Sequence, residues 1–391
     1  MKLAKLSLAA IVAVGAFSVA NATSLESAIK GVDVSGYVRY RYYNEDNSVP
    51  GHKTDRHRFT VPVLFKIPVA ENITAAVGMF AQENDYASNT KFTAGGSQPY
   101  GDSSFNLSRM WFNYAANGWN VKLGRQLLKT PYTEGGITGS YGDGLVAMYS
   151  PMSNLTVAAA AFVKSNQTID GAVGGAKVNN NNIYAAAAIG SFSGINAQLW
   201  VFRVEQMVDD AEFLQLSGSI AGLSLKVQGS WTSLESNTYA ALKAAGVVKD
   251  DSGAFYGIQA GYKIENFKLG AGYTTTDQDN GIGVLDADGG LIKAGKQIYY
   301  KTTNARDTDV YFFTIGAGYG KYSFGAGYVG ASSVSGTTLD GANEIYGQVG
   351  YKFNKKFGVA AYYSALDMDK VGDNVRGGDN DEFRVEVKYS F

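Results

Sequence analysis

The chain has 391 residues, a formal net charge of −1 and 18% charged residues, a balance that excludes a basic nucleic-acid-binding domain. Cys is absent, which excludes a disulfide framework, a thiolate nucleophile and a cysteine metal site, while Gly (48), Tyr (26) and Phe (20) are frequent and Pro (6) is scarce. Mean hydropathy is slightly negative, and past the N-terminus no apolar run approaches the ~18 residues a membrane helix needs.

Residues 1–22 read as a secretory signal peptide. Lys2 and Lys5 form the basic start, residues 6–19 the apolar centre, and Ala20-Asn21-Ala22 the small-residue cleavage site. The run is too short for an anchor helix. The predicted mature chain, 23–391, is exported and carries a charge of −3 once Lys2 and Lys5 are removed from −1. If such a chain crosses a membrane, it does so as a closed β-barrel.

After a connector over 23–33, strict alternation begins. In 34–43, Val34, Gly36, Val38, Tyr40 and Tyr42 share one face; Ser35, Tyr37, Arg39, Arg41 and Tyr43 share the other. In 56–67, His57, Phe59, Val61, Val63, Phe65 and Ile67 alternate with Arg56, Arg58, Thr60 and Lys66. Further strands are expected at 72–82, 105–115, 118–127, 142–150, 154–165, 181–190, 194–206, 210–220, 223–233, 253–264, 266–276, 307–319, 321–331, 341–353, 356–366 and 380–391. That makes about 18. Connections alternate between short turns and long loops, and only the one near Met207 breaks the rule. The pattern predicts an all-β, antiparallel transmembrane barrel with short periplasmic turns, long extracellular loops and both termini at the periplasmic rim. Stacked sandwiches or a β-helix also give many strands, but the polar parity here carries too much Arg, Lys, Glu, Asn and Gln for a packed core.

The last stretch, 382–391, places Phe383, Val385, Val387, Tyr389 and Phe391 on one face and Glu382, Arg384, Glu386, Lys388 and Ser390 on the other. A terminal strand ending on an interfacial aromatic suits a barrel that closes on its first strand.

The segment Thr-Ser-Leu-Glu-Ser-Ala-Ile-Lys-Gly-Val-Asp-Val-Ser-Gly-Tyr-Val-Arg-Tyr-Arg-Tyr-Tyr at 23–43 resembles the start of the Campylobacter-type major outer membrane porins. Asp55-Arg56-His57-Arg58-Phe59 and the aromatic C-terminus are similar too. The resemblance is dense over about the first sixty residues and afterwards rests on rhythm. It implies an 18-stranded trimeric porin of the cell outer membrane that passes small hydrophilic solutes. It also implies that Phe391, with Tyr389, belongs to a strand recognised by the outer-membrane assembly machinery.

Two features are candidates for the pore. Arg39, Arg41, Arg56 and Arg58, joined by Arg384 and Lys388, share the polar parity of adjacent strands and are expected on one lumen wall, either as an electrostatic filter or paired with Glu382 and Glu386. Val121-Lys122-Leu123-Gly124-Arg125-Gln126 resembles the strand before the inward-folded loop of general porins. Glu134 and Asp143 in the following segment are expected to face the arginines; the alternative is an ordinary external loop with scattered acids. Arg125 shares parity with Val121 and Leu123, so a bulge at Gly124 is required to turn it inward.

Asp277, Asp279, Asp286 and Asp288, and then Asp367, Asp369, Asp373, Asp379 and Asp381, crowd two long loops. Calcium binding is one reading; solvated loops touching lipopolysaccharide are the other. Val157–Ala161 and Ala185–Ala188 give small outer faces, suited to a subunit contact or to lipid. Only His52 and His57 are present, and no nucleophile, base and orienting group assemble, so no enzyme is expected. Alternation by residue 34 leaves no room for a plug. The expected activity is passive diffusion with no required cofactor and no nucleic-acid partner; the alternatives are a substrate-selective porin and a non-channel barrel acting as adhesin or structural protein.

Overall fold

The computed structural model describes residues 31–47, 53–88, 103–133, 140–165, 168–169, 176–177, 181–281, 290–300, 305–334, 337, 339–368 and 379–391. Its frame is one 18-stranded sheet. The strands are β1 (Asp33–Asn47), β2 (Lys53–Ala70), β3 (Ile73–Ser88), β4 (Ser103–Ala116), β5 (Trp119–Leu127), β6 (Tyr141–Met152), β7 (Leu155–Ser165), β10 (Ile183–Phe192), β11 (Ile195–Val204), β12 (Val208–Ile220), β13 (Leu223–Leu234), β14 (Ser252–Ile264), β15 (Phe267–Thr276), β16 (Asp309–Tyr319), β17 (Tyr322–Ser332), β18 (Asn343–Lys352), β19 (Phe357–Asp367) and β20 (Asn380–Ser390). A two-residue pair, β8 (Thr168–Ile169) with β9 (Ala176–Lys177), lies between β7 and β10. Neighbours pair antiparallel around the ring, and β20 pairs with β1, so no edge remains.

The turns explain the register. Asn117-Gly118, Ser193-Gly194 and Ala221-Gly222 each have two successive positive φ values, the geometry of tight hairpin turns that match strand twist. They lie at the rim where β1 begins and β20 ends. At the other rim the connections are long, except for the five residues between β1 and β2 and the three between β11 and β12.

Leu199, Leu214, Leu216, Val227, Ile258, Leu269 and Ile315 point outward and are exposed. Aromatic clusters flank this aliphatic band. Near the short-turn rim Trp119 stacks on Tyr149, and Tyr322, Tyr351, Phe353 and Phe357 form a chain. Toward the loop rim the Trp231 indole N–H donates to the Tyr256 hydroxyl at 3.0 Å, and Tyr40 shares a hydrogen bond with His57. This is the profile of a barrel in lipid, with an apolar belt between two interfacial girdles.

The apolar clusters lie inside the barrel, toward the loop rim. One gathers Phe162, Ile183, Phe202, Val204, Val208, Phe213, Leu234 and Phe255 from β7 to β14. The second gathers Val310, Phe312, Val329, Ala331 and Leu366 from β16 to β19. Both line the β7–β19 sector, so β20 and β1–β5 face the remaining open lumen.

The loop expected over 44–55 shrinks to 48–52 because β1 and β2 extend into it. The loop expected over 166–180 contains the β8–β9 pair. Two further expectations change. Residues 234–252, expected as loop, contain a helix, α1 (Ser236–Ala244). Glu235 caps it by accepting the Asn237 N–H at 2.9 Å, and Leu242 buries in the first cluster. The small faces of β7 and β10 are not confined to the outside. Ala158, Ala160, Ala185 and Ala187 share the inward parity of buried Phe162 and Ile183, and only their alternates, such as Ala159 and Ala186, face outward.

Candidate pore and its lining

Register fixes the basic wall. Across β20, β1 and β2 the inward rows read Lys388–Arg39–Thr60, Glu386–Arg41–Arg58 and Arg384–Tyr43–Arg56. The six cations named from the sequence therefore share one patch of lumen. They are partly compensated. Arg41 Nε donates to Glu386 Oε2 at 2.5 Å, and its NH1 donates to the Tyr43 hydroxyl at 3.3 Å. Arg56 pairs with Glu45 at 3.0 Å and lies 4.1 Å from the Tyr43 ring centroid. Glu382 accepts the Tyr362 hydroxyl. Three carboxylates thus stand among six cations, and aromatic faces take much of the rest: Tyr37 lies 4.4 Å from Lys388 and 5.3 Å from Arg39.

The basic band continues with Lys66, Arg109 and Lys122 on the inward parity of β2, β4 and β5; Lys122 lies 4.8 Å from the Trp111 ring. These three border a chamber of about 750 Å³ whose far side is formed by Ala158, Ala160, Ala185 and Ala187 with Val146 and Trp200.

Residues 128–133, which follow β5, enter the lumen. Thr133 Oγ1 donates to the Leu128 carbonyl at 2.5 Å and accepts the Thr130 N–H at 3.0 Å, folding the loop on itself. Tyr132 is fully buried against Phe202 and Phe213, and Ser230 Oγ donates to its hydroxyl at 3.3 Å. Burial raises the Tyr132 phenol above its ordinary pKa, so it stays neutral.

A second crossing was not foreseen. Residues 290–300, between β15 and β16, also fold inward. Gly290 N–H donates to the Pro131 carbonyl at 2.8 Å, joining the two loops. Gln228 holds the second loop from β13: it donates to the Gly290 carbonyl at 3.1 Å and accepts the Ile292 N–H at 2.6 Å. At the far end, Gln297 Nε2 reaches the Ser364 hydroxyl at 3.0 Å and the Asn380 carbonyl at 3.1 Å. The loop carries Lys296, whose ammonium donates to Gln348 Oε1 at 2.6 Å. Burial lowers the pKa of this lysine, and Arg384 lowers it further. Leu291 seats in the first apolar cluster, and Ile292 and Ile298 seat in the second; the same connection also carries Ile282, Val284 and Leu285, so the sequence alone does not single out the anchors.

Arg125 and Asp143 are corrected. β5 keeps continuous register, with Arg125 opposite Met110 and Asp143, and Met110 is exposed on the outer face. Gly124 has φ +118 but introduces no register shift, so Arg125 stays on the outer parity. It forks Asp143 there, with Nε to Oδ1 at 2.7 Å and NH2 to Oδ2 at 2.9 Å. Neither residue reaches the constriction. Glu134 lies outside the described residues.

Among the acidic-loop residues, Asp286, Asp288, Asp369 and Asp373 also lie outside them. Asp277 accepts the N–H groups of Asp279 and Asn280, and Asp279 pairs with Lys249 at 3.5 Å. Among the described residues no three acidic or histidine groups converge as a metal site. Phe391 and Tyr389 sit on the outer face at the short-turn rim, and Phe391 exchanges backbone hydrogen bonds with Gly36.

A family model described as Campylobacter major outer membrane protein matches residues 1–391. No curated protein matches the sequence. Among solved structures, Pseudomonas aeruginosa OccK9 (OpdG) is 16% identical with a TM-score of 0.73, covering 93% of this chain and 99% of that one. Acinetobacter baumannii OccAB1 is 15% identical with a TM-score of 0.72, covering 92% and 96%. At these identities the likeness is one of fold.

Proposed function

The chain belongs to the Campylobacter major outer membrane protein family, and from that premise we propose that the β20–β1–β2 wall is the charge filter of its channel. The protein is a porin of the cell outer membrane, a channel for small solutes. Family and fold are those of a channel rather than an enzyme. The observation that carries the filter is the set of inward rows in which Arg39, Arg41, Arg56, Arg58, Arg384 and Lys388 outnumber Glu45, Glu382 and Glu386. Charge on a narrow lumen wall biases which ions enter. Conduction is passive, has no catalytic step and requires no metal, so a chelator leaves conductance unchanged. The protein works as a homotrimer seated in lipid and lipopolysaccharide, as its family resemblance implies.

Single-channel recording in a planar bilayer tests the filter. With a salt gradient, Arg41→Ser combined with Arg58→Ser is expected to move the reversal potential toward cations, partly because Glu386 loses its partner. An unchanged potential removes this wall as the filter. A channel with no stepwise conductance at all contradicts the porin assignment.

A second reading, a solute-selective channel, is favoured by the chamber. Cations on one side and alanines on the other offer weak binding to solutes with a charged end and an apolar body. Saturable flux, with one solute blocking another, would distinguish it from simple diffusion.

A further inference from the structure

Glu344 lies on the inward row of β18 and is fully buried. Its carboxylate accepts four hydrogen bonds. Three come from consecutive backbone N–H groups of the second inward loop: Lys296 at 2.6 Å, Gln297 at 3.1 Å and Ile298 at 2.9 Å. The fourth comes from the Ser364 hydroxyl at 2.7 Å. Successive N–H groups converging on an anion make a nest, and bonds to an ionised acceptor are the strong ones. Gly295 permits the approach. Its φ is +101, and a Cβ there would lie 2.6 Å from Glu344 Oε2.

The consequence falls on Lys296. With its backbone fixed, its ammonium is delivered into the lumen, 4.9 Å from the Tyr346 ring centroid and 5.3 Å from that of Tyr362. Arg384 of the basic wall lies 4.4 Å from the same Tyr362 ring. Lys296 therefore extends the cation series of β2, β1 and β20 past Tyr362 to the β18 sector. The Lys296 ammonium donates to a neutral amide, Gln348, while the Glu344 carboxylate is taken up by the loop backbone.

We infer that Lys296 is a specificity-determining residue of the channel and that Glu344 is the positioning residue that holds it in the lumen. This rests on the charge-filter reading, and it makes that filter a ring sector rather than a single wall. The two residues predict distinct signs. Deleting a lumen carboxylate alone would favour anions. Releasing Lys296 favours cations, so a cation shift on losing Glu344 separates positioning from simple charge removal.

The test uses the full-length protein in planar bilayers under a potassium chloride gradient. Lys296→Gln is expected to shift the reversal potential toward cations, with conductance within about a factor of two of the parent. Lys296→Cys introduces the chain's single thiol. A cationic methanethiosulfonate should restore the parental potential, and an anionic one should push it further toward cations. Glu344→Gln is expected to raise conductance and shift selectivity toward cations. Glu344→Asp keeps the charge but retracts it by one methylene, and should act in the same direction more weakly. Unchanged selectivity in Lys296→Gln overturns the inference, whatever the arginine variants do. An anion shift, or none, in the folded Glu344 variants overturns the positioning role, as does failure of both to give a folded barrel. If Lys296→Gln shifts the potential while Arg41→Ser with Arg58→Ser does not, the wall reading and the ring sector fail together, and only the role of Lys296 stands.

Discussion

A charged residue on a barrel strand can act on a passing ion only if its parity is inward, and Arg125 shows how much follows from one position. Its cross-strand neighbours Met110 and Asp143 place it on the outer row, where its guanidinium is occupied by a bidentate carboxylate. Lumen arginines of β1 and β2 sit two residues apart on the opposite face of their strands. Replacing Arg125 with Leu should therefore leave the reversal potential and conductance at parental values. The loss of one half-buried ion pair at the rim costs about 1 kcal/mol, plus whatever the unpaired Asp143 adds. A selectivity change as large as that of the Arg41 and Arg58 double variant would mean that the outer pair communicates with the lumen. The same parity argument makes Lys122, whose ammonium lies over Trp111, the lumen-facing cation of β5 and part of the chamber wall.

Among the elements, the strands were legible in the sequence and the loop paths were not. Alternation of polar and apolar side chains is a local property with period two, and a one-residue slip would invert every face, so the pattern locates strands and their inward rows together. Asn117-Gly118 and Ala221-Gly222 mark turns through φ alone. A loop that crosses a lumen is held by contacts far away in sequence. Tyr132 and Ser230 are 98 residues apart, and Gln228 and Ile292 are 64 apart. Glu344 looks like any other polar residue on a lumen row until the loop that it binds is in place. The inward path of the first loop can be tested through its anchor. Tyr132→Ala removes a fully buried ring from the first apolar cluster, a loss of about 3–5 kcal/mol for an aromatic in a packed core. The cost should appear as release of the loop, because the barrel's backbone ladders do not depend on it. Faster protease cleavage within 128–140, larger conductance and an unchanged unfolding temperature of the barrel are expected. A barrel that unfolds at markedly lower temperature would instead make the loop an integral part of the frame.

At the scale of the whole molecule, closure depends on the last strand meeting the first. β20 pairs with β1 from Tyr37–Ser390 to Asn47–Asn380. Phe391 extends the ladder by one residue: its N–H donates to the Gly36 carbonyl at 3.1 Å, and it accepts the Gly36 N–H at 3.3 Å. Gly36 is closely approached on both sides: a Cβ at that position would meet the Pro62 carbonyl of β2 and would lie 2.8 Å from the Phe391 side chain. All of this lies at the short-turn rim on the outer face, whereas Arg41 and Arg58 lie on the opposite face, further up the wall. Assembly and conduction should therefore separate. Deleting Phe391 should lower the yield of folded protein in outer-membrane fractions several-fold, read from the heat-dependent shift of the barrel on gels. The channels that do form should keep parental conductance and reversal potential. Gly36→Leu, which crowds both the Phe391 ring and the Pro62 carbonyl of β2 while leaving Phe391 in the chain, should reproduce at least part of the assembly loss. If Gly36→Leu assembles normally while the deletion does not, recognition of the terminal aromatic, rather than its packing against β1, is the step that fails. Normal assembly of both variants would show that the closing strand needs neither.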